Sequence, residues 1–103
     1  MSKYNSRITE VDGITFHSKK EAHAYSELKI REKHGEIGEI ELQPKFSIDI
    51  NGVHVCNYIA DFRFVDYRDN STVVMDVKGM KTQVYRLKKK LMKACHNIEI
   101  FET

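Results

Sequence analysis

The first third of the chain combines a short alternating segment with a helical repeat. Arg7–Phe16 contains two β-type runs around Asp12-Gly13, a pair that favours a tight hairpin turn. Ser18 lies where a helix N-cap is expected, with Glu21 at the third helical position, which is the spacing of a capping box. Gly35 is expected to end this helix. Its predicted apolar face contains Ala24, Tyr25 and Leu28.

β-type runs fill the middle of the chain. Asn51-Gly52 separates two of them and is the strongest hairpin signal in the sequence. Pro44 restricts the run before it to an edge or an end of a sheet, because proline cannot donate to a strand ladder. The predicted strands are Ile40–Gln43, Lys45–Ile50, Val53–Cys56, Tyr58–Val65 and Thr72–Lys78.

The last quarter predicts a second helix and a final strand. Thr82 is the expected N-cap of Gln83–Cys95, and Asn97–Phe101 is typical of a short strand. The order of elements predicts an α/β fold, with a central mixed sheet flanked by helices (αβββαβ), a strand meander and an N-terminal hairpin. Strands joined through the second helix can form a parallel pair. The predicted buried stripe of that helix is Val84, Leu87, Leu91 and Ala94.

Length and composition narrow the class of protein. We expect one domain over residues 1–103, and 41% hydrophobic with 31% charged residues is a globular balance. No apolar stretch has the length of a bilayer span, and the first residues lack the apolar core of a secretory signal. Cys56 and Cys95 have neither metal nor redox spacing, and the histidines have no zinc spacing. These features predict a cytoplasmic protein with reduced cysteines and no membrane partner.

Positive charge is concentrated in one segment. Residues 78–96 contain seven lysine or arginine residues and no acidic residue, whereas the rest of the chain carries ten basic and fifteen acidic residues. This asymmetry favours a polyanionic partner, nucleic acid first, although a solvated basic helix face is the simpler alternative. The residues expected to contact phosphates are Lys81, Arg86, Lys89, Lys90 and Lys93.

Two predicted strands carry charged residues in positions that can meet. Strand alternation predicts that the side chain of Asp61 points to the opposite face of the sheet from those of Ala60 and Phe62. It also predicts that Asp76 and Lys78 share one face. If the strands are neighbours, two carboxylates and one ammonium group converge, and such a cluster needs mutual pairing or a metal. Carboxylate oxygens suit Mg²⁺, with Mn²⁺ as a substitute. The set fits metal-assisted phosphodiester hydrolysis, in which the lysine stabilises charge that develops in the transition state.

The pattern Asp61…Asp76-Val77-Lys78 resembles the signature of the PD-(D/E)XK nuclease superfamily, and the order of elements resembles its restriction-endonuclease-like core. A family of small phage-type endonucleases, several of them described as Holliday-junction resolvases, is similar in the segments SKKEAHAYSEL, LQPKF, YIADF, VVMDVKGMKT and YRLKKKLM. The likeness covers about Lys3 to Cys95. Ala60 departs from the superfamily pattern, which has proline there, without changing the type of ligand.

The resemblance implies roles for individual residues. Gln43 would lie near the site, and Lys88 and Thr82 would contact phosphates. Glu21 would complete the metal shell, although the capping box alone explains a glutamate at this position. The implied metal ligands are Glu21, Asp61 and Asp76, and the implied catalytic set adds Lys78 to these three.

The function implied by the resemblance is a Mg²⁺-dependent DNA endonuclease. Its similarity to Holliday-junction resolvases points to branched DNA as one substrate class. A resolvase would act as a homodimer, because branched DNA offers paired strands to cut. Two other functions stay open. One is an inactive nucleic-acid-binding module of the same fold. The other is an interaction protein whose charge cluster is a salt-bridge network and whose basic segment binds an acidic protein.

Overall fold

The computed structural model describes residues 8–77 and 81–103, so the predicted catalytic Lys78 lies outside the described residues. The fold is α/β, with a mixed sheet and two helices. No helix in these ranges is long and apolar enough to cross a membrane. The elements are β1 (Thr9–Val11), β2 (Ile14–Phe16), α1 (Lys19–Lys33), β3 (Ile37–Leu42), β4 (Lys45–Ile50), β5 (Val53–Ile59), β6 (Phe62–Asp66), β7 (Ser71–Asp76), α2 (Gln83–His96) and β8 (Ile100–Glu102).

Four strands form the central sheet in the order β3-β6-β7-β8. β6 pairs antiparallel with β3 and with β7, whereas β7 and β8 are parallel and joined through α2. Phe62 pairs with Met75, and Asp76 pairs with Glu102. The mixed sheet and its parallel pair confirm the coarse architecture that the sequence predicts.

Two hairpins lie outside the central sheet, with their turns where the sequence predicts them. Asp12 and Gly13 have φ angles of 54° and 76°, and Asn51 and Gly52 have 53° and 80°. Paired positive φ angles are typical of type I′ turns. β4 and β5 form a separate two-stranded sheet. The predicted meander, which includes these strands in the central sheet, is therefore wrong. The chain leaves the central sheet after β3 and returns to it at β6.

The predicted strand Tyr58–Val65 is in fact two strands, β5 and β6, separated by Ala60 and Asp61. The amide of Ala60 donates to the Pro44 carbonyl at 3.1 Å, and the amide of Gln43 donates to the Asp61 carbonyl at 3.0 Å. These bonds close the base of the β4–β5 hairpin at the point where the chain enters the central sheet. The change of sheet therefore divides a run that is continuous in sequence.

Three side chains of α2 attach it to the backbone of the hairpin. Lys88 Nζ donates to the Asn57 carbonyl at 3.0 Å, and His96 Nε2 lies 2.7 Å from the Ser47 carbonyl oxygen. Near the end of the helix, Cys95 Sγ lies 3.8 Å from the carbonyl oxygen of residue 49. The hairpin is thus hydrogen-bonded to α2, and it does not join the strand ladder of the central sheet.

Both helices begin at the predicted caps. Ser18 Oγ accepts a hydrogen bond from the Glu21 amide at 3.0 Å, and Thr82 Oγ1 accepts one from the Tyr85 amide at 3.1 Å. Each cap satisfies a backbone donor that has no partner within its own helix. α2 extends one residue beyond the predicted end and is followed by Asn97 at a φ of 56°.

Each helix covers a different face of the sheet, because neighbouring residues of a strand point to opposite sides. Within β7, Met75 packs beneath α1 and Val74 packs beneath α2. The core beneath α1 contains Phe16, Ala22, Tyr25, Leu28, Ile37, Phe62, Phe64 and Met75. The core beneath α2 contains Ile48, Tyr58, Ala60, Val74, Tyr85, Met92 and Ile100.

The buried face of α2 differs from the predicted stripe. Tyr85 and Met92 are buried, whereas Val84 and Leu87 are 62% and 58% exposed. Leu91 is half-buried, and the last predicted position is exposed. Tyr85 and Met92 are seven positions apart and share one face, and tyrosine buries a larger area than valine while its hydroxyl keeps a polar partner. Val84 and Leu87 of the predicted stripe therefore form a second, uncovered apolar face of the helix.

Asp66 supports the turn between β6 and β7 through Arg68. The Asp66 carboxylate accepts from the Arg68 amide at 3.0 Å and from Arg68 Nη2 at 2.7 Å. These hydrogen bonds lower the pKa of Asp66 from 3.8 to about 2. Because the pKa is lower in the folded state, this stabilisation is complete above the unfolded pKa and is lost as the pH falls toward 2.

We expect Asp66→Asn to lower the melting temperature at neutral pH and to make it less dependent on pH between about 4 and about 2. Thermal unfolding followed by circular dichroism at a series of pH values measures both effects. Arg68→Gln removes the donor side chain and should have the same consequences. A variant that keeps the wild-type slope across this interval would contradict the role of the pair.

Candidate active site

Asp61 and Asp76 lie side by side where β6 begins and β7 ends. The Asp61 amide donates to Asp76 Oδ1 at 3.1 Å, and the Val77 amide donates to Asp61 Oδ2 at 2.7 Å. Each carboxylate therefore accepts a hydrogen bond from the backbone of the strand that carries the other. This exchange fixes the relative position of the two residues.

The antiparallel register of β6 and β7 explains the pairing. Phe62 is opposite Met75 at the end of the ladder, so the residues that adjoin this pair, Asp61 and Asp76, are brought close together. Asp76 has no exposed surface, whereas Asp61 is half-buried at the bend. Burying a carboxylate costs free energy unless other groups compensate its charge. Buried carboxylates of this kind are common in active sites.

A cleft of about 150 Å³ opens beside Asp61. Glu21 reaches it from the first turn of α1, and Gln43 reaches it from the end of β3, where the chain has a φ of 51°. His17, to which the sequence assigns no role, lies on the same wall. The cleft therefore brings together three of the predicted site residues. Its complete lining is Ile14, Thr15, Phe16, His17, Glu21, Leu42, Gln43, Asp61 and Phe62.

The predicted set of three metal ligands is only partly assembled. Within residues 8–77 and 81–103, no three His, Cys, Asp or Glu side chains form a group that could hold a metal ion. Glu21 shares the cleft with Asp61, and Asp61 is hydrogen-bonded to Asp76. The carboxylate pair still fits Mg²⁺, which is commonly bound through one or two carboxylates and keeps several waters.

A second polar group lies beside the acidic pair, on the side of α2. Glu102 of β8 pairs in register with Asp76, and its carboxylate accepts from the Tyr85 hydroxyl at 2.6 Å. Lys81 Nζ and Lys89 Nζ lie 3.1 and 3.2 Å from Glu102 Oε1. The Tyr85 hydroxyl and the two lysines lower the pKa of Glu102 to about 2, so its carboxylate is charged at neutral pH.

Tyr85 lies close enough to the acidic pair for the charge of that pair to affect its pKa. Burial, followed by its hydrogen bond to Glu102, raises the pKa of the Tyr85 hydroxyl. The negative charges of Asp76 and Asp61 raise that pKa further. Tyr85 therefore remains protonated and donates its hydrogen bond throughout the physiological range. Neither Tyr85 nor Glu102 is identified from the sequence as a site residue, because their proximity depends on the parallel pairing of β7 with β8.

The predicted DNA-contacting residues divide into two groups. Five of the seven line a groove of about 700 Å³ between α2 and β8, together with Ile100 and two glutamates. Lys88 donates instead to the hairpin backbone, and Thr82 caps α2. Both residues thus make hydrogen bonds within the protein. The five basic residues in the groove are Lys81, Arg86, Lys89, Lys90 and Lys93.

Residues 1–100 match a protein-family model whose description is "Protein of unknown function (DUF1064)". No curated protein and no solved structure matches the chain significantly.

Proposed function

Because the chain belongs to DUF1064, a family whose description assigns no function, we propose its activity from the site itself: a metal-dependent DNA endonuclease of the PD-(D/E)XK type. The observation that carries this proposal is the reciprocal hydrogen bonding that holds Asp61 and Asp76 together at the end of two neighbouring strands. A basic groove beside the pair supplies the complementary surface for a phosphodiester backbone.

The order of elements supports a restriction-endonuclease-like core. α1 precedes three antiparallel strands of the central sheet, and α2 then leads to a parallel fourth strand. This is the predicted αβββαβ order, once the β4–β5 hairpin is treated as an insertion between the first two of those strands. Asp61 directly precedes the second of these strands and Asp76 ends the third, an arrangement that is compatible with the superfamily signature.

The residues divide the work of hydrolysis between them. Asp61 and Asp76 would hold the divalent cation, Mg²⁺ or Mn²⁺, through carboxylate oxygens. When bound, such a cation polarises the phosphate, activates water and neutralises charge on the leaving oxygen. Glu21 and Gln43 would orient groups in the cleft beside Asp61. By resemblance, Lys78 would donate to the scissile phosphate.

The proposal includes a homodimer, in which two copies of the chain pack together. Val84 and Leu87 are exposed on one face of α2, and the helical repeat places Lys89 and Lys93 on another face. A contact between two copies through the apolar face would leave both basic grooves open to DNA. Sedimentation equilibrium tests this arrangement, and a monomer mass at micromolar concentration would exclude it.

An inactive nucleic-acid-binding module is the second candidate. It is favoured by the basic groove, together with the incomplete set of three metal ligands in the described part of the chain. Such a module would use Lys81, Arg86, Lys89, Lys90 and Lys93 without any chemistry at the acidic pair.

Cleavage assays separate the two candidates. We expect the purified protein to nick DNA in Mg²⁺ and to be inactive in EDTA. A four-way junction, a linear duplex and a single strand of matched sequence show which form of DNA is preferred. Salt-sensitive binding without cleavage of any of these substrates in Mg²⁺ or Mn²⁺ would instead identify the binding module.

A further inference from the structure

Two hydrogen-bond donors of α2, and a third just before its N-cap, converge on the Glu102 carboxylate. Lys81 Nζ and Lys89 Nζ lie within 3.2 Å of Oε1, and the Tyr85 hydroxyl donates to Oε2 at 2.6 Å. Two ammonium groups and one hydroxyl are also the donors that proteins use to bind a phosphate of nucleic acid. Glu102 thus occupies a place that is chemically suited to a phosphate.

We infer that Lys81, Lys89 and the Tyr85 hydroxyl form a phosphate subsite, which Glu102 fills in the free protein and which a phosphate of the DNA backbone takes over on binding. This inference rests on the proposed binding of DNA and deepens it. The parallel pairing of Glu102 with Asp76 places the subsite one strand away from the acidic pair. A phosphate held there would be a neighbour of the one that is cleaved.

The exposure of the side chains makes the exchange possible. Glu102 is only 19% exposed, whereas Lys81 and Lys89 are 49% and 39% exposed and border the groove. Their ammonium groups can therefore turn from the carboxylate to a ligand in the groove without unfolding α2. Because one anion replaces another, the lysines keep a negatively charged partner throughout the exchange.

The remaining cations of the groove favour entry of a polyanion. Arg86 and Lys90 line the same groove and form no ion pair with any residue in the ranges 8–77 and 81–103. An extended phosphate backbone can contact these two residues first and then compete with Glu102. A single phosphate has fewer such contacts. Competition from Glu102 should therefore make the groove bind long polyanions more tightly than isolated phosphates.

Glu99 provides a matched control on the same groove. It pairs with a single cation, Lys93, at 3.4 Å, and its side chain is 80% exposed. An exposed pair of this kind contributes little to holding its lysine in place. Glu99→Gln and Glu102→Gln remove the same charge from the same groove, but only the second releases two ammonium groups.

The experiment compares the two variants in EDTA, with a fluorescent duplex oligonucleotide as the probe. We expect Glu102→Gln to bind about three- to tenfold more tightly than wild type at low salt, and Glu99→Gln to change affinity by less than about twofold. The slope of log K against log salt should change by less than about one for Glu102→Gln, because a phosphate occupies the subsite in both complexes and only the free proteins differ. Equal effects of the two substitutions would overturn the inference.

Two further measurements keep the test valid if Glu102→Gln folds poorly: a comparison in a background that lacks the two lysines and a measurement on the wild-type protein. In a Lys81→Ala, Lys89→Ala background, Glu102→Gln should have no more effect than Glu99→Gln. In the wild-type protein, the side-chain carboxyl ¹³C resonance of Glu102 should shift when the duplex saturates the protein. An unmoved resonance in the bound protein would show that the carboxylate keeps its partners, and would refute the exchange.

The two proposals fail in different ways. Binding in EDTA requires no chemistry, so tighter binding by Glu102→Gln without any cleavage by the wild type would retain the subsite and reject the nuclease. Cleavage by the wild type with equal affinities for the two glutamine variants would retain the nuclease and reject the subsite.

Discussion

Replacing Asp76 with asparagine should lower Mg²⁺-dependent DNA cleavage by at least about 100-fold, because a carboxylate that holds the cation is removed. Asparagine keeps an oxygen at the position that accepts the Asp61 amide at 3.1 Å, so the junction of the strands should persist. Initial rates of nicking of a supercoiled plasmid, compared at equal protein concentration, measure the effect.

Asp69→Asn is the matched control for this variant. Asp69 is an exposed residue of the β6–β7 turn, where its carboxylate accepts from the Ser71 amide. The same chemical change at this position should leave the cleavage rate within about twofold of wild type. The Asp76→Asn variant should also keep the affinity of the wild type for DNA in EDTA, because Asp76 does not line the basic groove. Undiminished cleavage by Asp76→Asn would remove this residue from the active site.

Phe62→Ala should lower the free energy of unfolding by about 3–5 kcal/mol, the usual cost of removing a buried aromatic side chain. Phe62 is 1% exposed and packs with Phe16 and Tyr25 at ring-centroid distances of 6.5 and 6.4 Å. Truncation leaves a cavity beneath α1, which the surrounding side chains can only partly fill. Urea unfolding monitored by circular dichroism gives the change in free energy.

Phe101→Ala is the appropriate comparison, because Phe101 is 55% exposed at the end of the sheet. We expect it to cost less than about 1 kcal/mol. Phe62 also directly follows Asp61, so its loss should weaken DNA cleavage under conditions in which the protein remains folded. Similar stability losses in the two alanine variants would mean that the core beneath α1 does not hold the start of β6.

Local signals in the sequence are sufficient to predict the turns and caps. Asp12-Gly13 and Asn51-Gly52 adopt positive φ angles because of their own residue types. Ser18 and Thr82 cap their helices through bonds that span three residues. In each of these cases, the interacting groups are neighbours in the chain, so the sequence pattern contains the whole interaction.

Features that depend on distant partners could not be predicted in the same way. Leu87 is exposed because Tyr85 and Met92 form the buried face of α2. Burial of Tyr85 is supported by the hydrogen bond from its hydroxyl to Glu102 on β8. Likewise, the break at Ala60 depends on the Pro44 carbonyl across the base of the hairpin. Apolar periodicity identifies α2 as a helix, but it does not determine which of its two apolar faces is covered.

The candidate site shows the same division. Asp61 and Asp76 were predictable as neighbours, because two adjacent strands with a short turn fix their register. The partnership of Lys81 and Lys89 with Glu102 was not, since it requires β8 to lie beside β7. Net charge along the segment therefore overstates how many cations are free of acidic partners in the fold.

The separate attachment of the β4–β5 hairpin has a consequence for how this family can diversify. Its tip, Asn51-Gly52, is exposed, and its stem is hydrogen-bonded to α2 and lies outside the ladder of the four-stranded sheet. Insertions or deletions at the tip can alter the outer contour of the molecule while the ladder that joins β6 to β7 keeps its alignment. If the proposed nuclease activity holds, length variation there would offer a route to DNA of other shapes without rebuilding the acidic pair.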